Sequence, residues 1–169
     1  MGKRKKSKPI MVKDKRTGEW RINRDATPTA RRMADDVWSA AVKEDWNYRC
    51  AICGQCHTLN SHHIIPRQHY GSRYEMLNGI CLCVNCHQYC PHYSPHVNGR
   101  GFDLWLEQHH QVNYEWTREL MKCGEHEDIE TKTVFYFCDV LQSLREYVSE
   151  AEFVRIVGKR FSQYLEEHQ

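Results

Sequence analysis

At 169 residues the chain has room for one domain of ordinary size with something appended, and not for two full domains. Hydrophobic residues make up 40% and charged residues 27%, the mean hydropathy is −0.77, and no apolar run approaches the roughly 18–20 residues of a membrane-crossing helix. A membrane-spanning protein is therefore not expected. The start, MGKRKKSKPIMVK, is basic but lacks the apolar stretch of about 7–15 residues that follows the basic end of a secretory signal. Nine cysteines are then expected in a reducing, cytoplasmic setting, where an odd and high count points to metal ligation and not to disulfides.

Charge is unevenly spread. The first 32 residues hold 12 of the 24 Lys and Arg against three of the 22 acids, Asp14, Glu19 and Asp25, so this segment is +9 and the remainder is about −7. Lys3, Arg4, Lys5, Lys6 and Lys8 form a run suited to binding phosphates by counterion release, although a solubilising tail or import signal has the same composition. Residues 1–26 are expected to be a flexible basic arm, with KRTGEWRINR over 15–24 either a short hairpin about Thr17-Gly18 or a continuation of the arm. Thr27 before Pro28 predicts an N-cap and first helical position, and Met33, Val37, Ala40 and Ala41 then share one face of a helix to about Asp45.

From Trp46 to Pro95 the helical period vanishes and cysteine, histidine, glycine and short β-branched runs replace it. Cys50-Ala-Ile-Cys53-Gly54 and Cys83-Val-Asn-Cys86 are two Cys-x-x-Cys units separated by 29 residues, the arrangement of two zinc knuckles forming one closed tetrahedral site. Cys56, Cys81 and His57 are alternative ligands that do not give two knuckles of matching form. Cys56, Cys81, Cys90, Cys123 and Cys138 are read as small buried apolar residues. A site closed by four thiolates leaves no position for water, so its role is architectural.

Between the knuckles stand Ser61-His62-His63-Ile64-Ile65-Pro66-Arg67 and Leu77-Asn78-Gly79-Ile80-Cys81-Leu82, and His87 follows the last knuckle cysteine. This order, over about residues 46–92, resembles the HNH endonuclease family, the ββα-metal nucleases, in its zinc-knuckle subclass known from phages and mobile elements. The resemblance implies an α+β fold with a small ββα-metal core stapled by Cys50, Cys53, Cys83 and Cys86 around Zn²⁺, flanked by an N-terminal helix and a helical C-terminal region. It further implies metal-dependent hydrolysis of DNA phosphodiester bonds, leaving 5′-phosphate and 3′-hydroxyl ends, with the ββα element docked in the minor groove.

In that scheme His63 is the general base, a role suited to an imidazole whose ordinary pKa is near 6.5. His62 and His87 hold the catalytic divalent cation, Mg²⁺, Mn²⁺ or another transition ion. A nitrogen ligand set favours the softer metals. Asn78 accepts the imidazole N–H of His63 or braces the loop. Neighbouring residues on an extended strand point to opposite sides, so a twist or bulge would be needed to bring His62 and His63 to one site. Taken singly, such histidines are often spare ligands or braces, and Asn78-Gly79 is first of all a turn signal.

Pro91 departs from the pattern, since it shortens the element carrying His87 or makes it resume later. His92 and His96 in this stretch are candidates for a third ligand or a phosphate contact. Arg67, Arg73 and Arg100 flank the site and could clamp phosphates or form ordinary surface ion pairs. Tyr70, Tyr74, Tyr89 and Tyr93 are expected mostly in the core.

Phe102, Trp105 and Leu106 predict a further helix, as do Val134, Phe137, Cys138, Leu141 and Leu144. Ser149 and Glu152 form a capping box before a last helix whose apolar face is Phe153, Ile156, Val157, Phe161, Tyr164 and Leu165. These stripes supply core or a homodimer contact. The expected organisation is an arm over 1–26, a nuclease domain with its leading helix over 27–110, and an acidic helical extension over 111–169. Two competing readings are a catalytically inactive zinc module that binds nucleic acid, and a protein-interaction adaptor using the acidic helices.

Overall fold

The computed structural model describes residues 7–123 and 132–168; Lys3, Arg4, Lys5 and Lys6 lie outside the described residues, as does the side chain of Cys123. The fold is mixed α+β with two small antiparallel sheets. In chain order the strands are β1 (Met11–Lys13), β2 (Trp20–Ile22), β3 (Leu59–His63) and β4 (Gly79–Cys83). The helices are α1 (Thr27–Asp45), α2 (Gly99–His109), α3 (Gln111–Cys123), α4 (Val134–Leu144), α5 (Glu150–Val157) and α6 (Lys159–Glu167). The chain divides into two compact units, Trp38–Ile129 and Met1–Val37 with Glu130–Gln169. The described residues ahead of α1 fold with α4, α5 and α6, and α1 contributes to both units.

In the latter unit β1 and β2 pair as a hairpin, Met11 opposite Ile22 and Lys13 opposite Trp20. The Asp14 carboxylate makes the turn by accepting from the amides of Arg16 and Thr17 at 2.8 and 3.2 Å. From Lys8 onward the expected flexible arm is therefore folded. Ile10, Met11, Ile22 and Ala26 are buried, and Lys8 pairs with Asp25 at 2.8 Å while its carbonyl accepts from Thr29 Oγ1. The helical start also lies earlier than Thr27-Pro28 suggested. Thr27 already has helical φ −47 and ψ −45, and Asn23 is the cap of a 3₁₀ turn over Arg24–Ala26, its side chain accepting from Asp25 N at 3.2 Å. Val134, Phe137, Cys138, Leu141 and Leu144 are all buried within this unit, so the α4 stripe serves as core. The single last helix expected from its stripe is two: Gly158, at φ 85, breaks it between α5 and α6, and Phe153, Val157, Phe161 and Leu165 stay buried across the break.

The unit Trp38–Ile129 is built in three layers about the β3–β4 hairpin, which is regular throughout: Leu59 opposite Cys83, Ser61 opposite Cys81, His62 opposite Ile80 and His63 opposite Gly79. Alternation sends Ser61, His63 and Gly79 toward α1 and His62 and Ile80 toward α2. On the α1 side Ser39 and Ser61 share a hydrogen bond, and the indoles of Trp38 and Trp46 donate to the carbonyls of Glu75 and Gly79. On the α2 side Ile80 and Leu82 pack with Phe102, Trp105 and Leu106. All five residues of β4 are buried, which explains its unbroken apolar run.

Asn78-Gly79 does not close a two-residue hairpin; Gly79 opens β4 and is small because α1 crosses there. A Cβ at this position would lie 2.3 Å from Val42 Cγ2 and 3.2 Å from both Trp38 Cζ2 and the Met76 carbonyl oxygen. Gly79→Ala is expected to destabilise the protein by about 1–3 kcal/mol through overpacking, read as a lower denaturation midpoint at an unchanged slope.

Candidate metal centres and histidine cluster

The two knuckles come together as their spacing predicts. Cys50, Cys53, Cys83 and Cys86 bring four Sγ atoms within 4.8 Å of one another, and Cys53 and Cys83 are 3.7 Å apart. A tetrahedral ion with Zn–S bonds of about 2.3 Å has sulfur–sulfur edges of roughly 3.8 Å, so this group could hold a zinc ion. The first knuckle turns at Gly54, whose φ of 73 favours glycine, and its amide donates to the Cys50 carbonyl at 2.8 Å. In the second, Cys86 N points at Cys83 Sγ at 3.5 Å. Ala51 N donates to the Cys81 carbonyl, tying the first knuckle to β4. Burial and the neighbouring thiols push the Cys86 thiol far up, and burial raises Cys53; a cation joining the sulfurs would favour their thiolate forms. Of the remaining cysteines, Cys81 and Cys138 are buried as expected, Cys90 is half-buried, and Cys56 is exposed, because it lies beyond the knuckle turn where nothing covers it.

A second cluster stands on the α2 side of the hairpin. His62 Nδ1 lies 3.1 Å from His87 Nε2, which lies 3.2 Å from His96 Nε2, and the three ligand atoms fall within 4.8 Å of one another. Metal–nitrogen bonds of about 2.0–2.1 Å give a tetrahedral nitrogen–nitrogen edge of roughly 3.3 Å, so these three imidazoles could hold a metal ion. Burial, then the charges of His87, His96 and His63, lowers His62 to about 3, and burial with His96 lowers His87. Both rings are therefore neutral, with lone pairs available, at physiological pH.

Three devices build this cluster. His62 owes its direction to strand alternation. His87 sits in a π-helical turn over Asn85–Tyr89 that starts directly after β4 and is closed by Cys90 N donating to the Asn85 carbonyl at 2.9 Å. His96 lies in the loop before α2. Thus the element carrying His87 is short, ends ahead of Pro91, and the α-helix resumes only at Gly99. Ser94, fully buried, joins the two loop histidines: its hydroxyl donates to the His87 carbonyl at 2.8 Å and accepts from His96 N at 3.2 Å and Val97 N at 3.3 Å. Asn98 caps α2 by accepting from Gly101 N and ties back the loop through the Pro91 and His92 carbonyls. The sequence reading missed Ser94, though a serine accepting from amides two and three residues on is a recognisable turn motif. It left His92 and His96 open; the structure brings His96 to the cluster and not His92.

His63 is separated from the other histidines by the regular register of β3, with no bulge to turn it. Its ring stacks on Trp38 at 3.8 Å between centroids and 13° between planes. Nε2 lies 3.0 Å from the Arg73 carbonyl, which can only accept, so Nε2 carries the proton and Nδ1 is the ring's acceptor. His63 ends the strand, near enough for its charge to act on His62. Asn78 does not join the cluster and makes no bond to the His63 ring. Fully buried, it accepts from Ile65 N at 2.7 Å and donates to the Ile65 and Ser72 carbonyls at 3.1 and 3.0 Å. It braces the loop that carries the Arg73 carbonyl.

Arg73 cannot be an exposed phosphate clamp. It is 7% exposed, its guanidinium lies against Tyr70 and Tyr74, and Nη1 donates to the Arg67 carbonyl. Arg67 and Arg100 are exposed. Tyr70 is buried as expected, but Tyr89 and Tyr93 are 67% and 42% exposed, on the turn and loop that carry His87 and His96, which lack a covering layer. No helix among the described residues is long and apolar enough to cross a membrane.

No protein-family model, curated protein or solved structure matches this chain.

Two outcomes follow from this chemistry. Cys53→Ser, at the exposed member of the four clustered cysteines, should lose zinc on dialysis and lower the thermal midpoint, measured by elemental analysis and circular dichroism. In the metal-free chain the folded-state basicity of His62 is depressed while the unfolded ring titrates near its ordinary value, about 6.5. Unfolding therefore takes up a proton between these values, and stability should be lost as pH falls from about 6.5 toward about 3, a slope that His62→Asn should flatten in acid denaturation profiles.

Proposed function

We propose that this chain is a metal-dependent endonuclease of the HNH type that hydrolyses DNA phosphodiester bonds. The observation that carries the reading is the convergence of His62, His87 and His96 within 4.8 Å on one face of a hairpin anchored by four cysteines, with His63 at the strand's end. A divalent cation on these imidazoles would polarise a phosphate oxygen and offset charge at the leaving 3′ oxygen. The chain's own residues supply the rest. His63, its tautomer fixed by the Arg73 carbonyl, takes the proton of the attacking water at Nδ1. Asn78 and Trp38 hold that ring through the braced loop and through stacking. Ser94 sets the spacing of His87 and His96. The neutral nitrogen set supports Mn²⁺, Co²⁺, Ni²⁺ or Zn²⁺ alongside Mg²⁺.

One observation favours a second reading, a catalytically inactive zinc module that binds nucleic acid: His63 leaves β3 on the face opposite the cluster and is packed against Trp38. Supercoiled-plasmid cleavage across a panel of these five cations separates the two. Nicking that His63→Ala slows by about 100-fold or more, with duplex binding retained, is the expected outcome. Absence of nicking with every cation, or equal rates for His63→Ala and wild type, would leave the inactive module.

A further inference from the structure

The unit holding the β1–β2 hairpin carries a basic surface that the histidine cluster does not use. Residues 8–24 contain Lys8, Lys13, Lys15, Arg16, Arg21 and Arg24 against Asp14 and Glu19. Two of these cations are committed locally, Lys8 to Asp25 and Arg21 to Asp14. Lys13, Lys15 and Arg16 are exposed and form no ion pair among the described residues. The turn explains their presentation, because Asp14 spends its carboxylate on backbone amides and leaves the tip's side chains to solvent.

The hairpin register adds an aromatic. Met11 and Ile22 are an opposed pair and are buried, whereas the next pair on the same face, Lys13 and Trp20, has run past the edge of the core. Trp20 is 41% exposed, and the guanidinium of Arg160 in α6 lies 4.0 Å over its ring. Arg160 and its neighbour Lys159 are exposed and likewise form no ion pair among the described residues. A half-exposed indole bearing an arginine, rimmed by lysines, joins a flat apolar face to charge that suits a sugar-phosphate backbone.

We propose that the β1–β2 hairpin and the start of α6 form a DNA-backbone contact surface, separate from the histidine cluster, in which Lys13, Lys15, Arg16, Lys159 and Arg160 neutralise phosphates and Trp20 packs on the sugar or an adjacent base. This rests on the reading that DNA is what the chain acts on. Contacts of this kind position the protein and carry little sequence information, so the surface raises affinity for any duplex.

The test is fluorescence anisotropy of a short labelled duplex with the zinc-loaded full chain, titrated over a range of salt without added Mg²⁺ or Mn²⁺. The triple variant K15E/R16E/R160E is expected to bind at least about tenfold more weakly, with a log affinity–log salt slope shallower by about 0.9 for each phosphate that is no longer neutralised. Should its circular dichroism differ from wild type, K15Q/R16Q, confined to solvent-facing side chains at the turn, reads the same slope change. Triple-variant affinity and slope equal to wild type would overturn the surface, even if plasmid nicking is intact. Loss of duplex binding in the triple variant would uphold it, even if no cation supports nicking. Capture by phosphatidylserine vesicles that needs these residues, without measurable duplex affinity, would overturn it in favour of a membrane surface.

Discussion

The gathering of four sulfurs at one end of β4 is the constraint on which the rest of this unit depends. A two-stranded hairpin is at best marginally stable in water, and β3–β4 is covered by α1 on one face and α2 on the other. Zinc bound to a four-thiolate site of this kind contributes on the order of 10–16 kcal/mol in isolated zinc peptides, comparable to the whole stability of a small domain. Cys50 and Cys53 precede β3, and Cys83 and Cys86 run out of β4, so an ion held by these four sulfurs would fix both where the hairpin begins and where it must stop. The hydrophobic cluster that packs Ile80 and Leu82 on α2 also includes Cys50, Cys83 and Cys86, so the clamp belongs to the core.

Fixing β4 in this way fixes the histidines. With the register locked, His62 must face α2 and His63 must face α1. The π-helical turn that follows Cys83 swings His87 back over the strand, and buried Ser94 then sets how far His96 can stand from it. Burial and mutual repulsion keep His62 and His87 neutral, the state in which imidazole nitrogens accept a cation. A proton and a metal ion thus compete for the same lone pairs, and the buried setting weighs against the proton.

On the other face, stacking on Trp38 and the Arg73 carbonyl hold the His63 ring in one tautomer. The loop presenting that carbonyl is itself held by Asn78, whose three backbone bonds replace those a regular element would have made. The carboxamide stiffens the loop against which the His63 ring rests. Arg73 has a similar double use, its backbone oriented toward His63 and its guanidinium closed over two tyrosines.

Much of this was legible in the chain itself. Paired Cys-x-x-Cys spacing determined the four-sulfur site, because two residues between thiolates is the span that lets both reach one ion. Apolar periodicity found α1, α2 and α4, because a helix must bury one face whatever its surroundings. Local signals also named His62 and His87. What they could not determine was direction and distance. Nothing near His63 in sequence reveals that Trp38 will cover it, and nothing near Asn78 reveals partners at Ile65 and Ser72. The choice of His96 over His92, the exposure of Tyr89 and Tyr93, and the burial of Arg73 depend on where loops return after a π-helical turn and a proline. Gly79 opens β4 and does not make a turn because α1 lies against it. Such features come from packing between segments far apart in the chain, and only the tertiary structure could decide them.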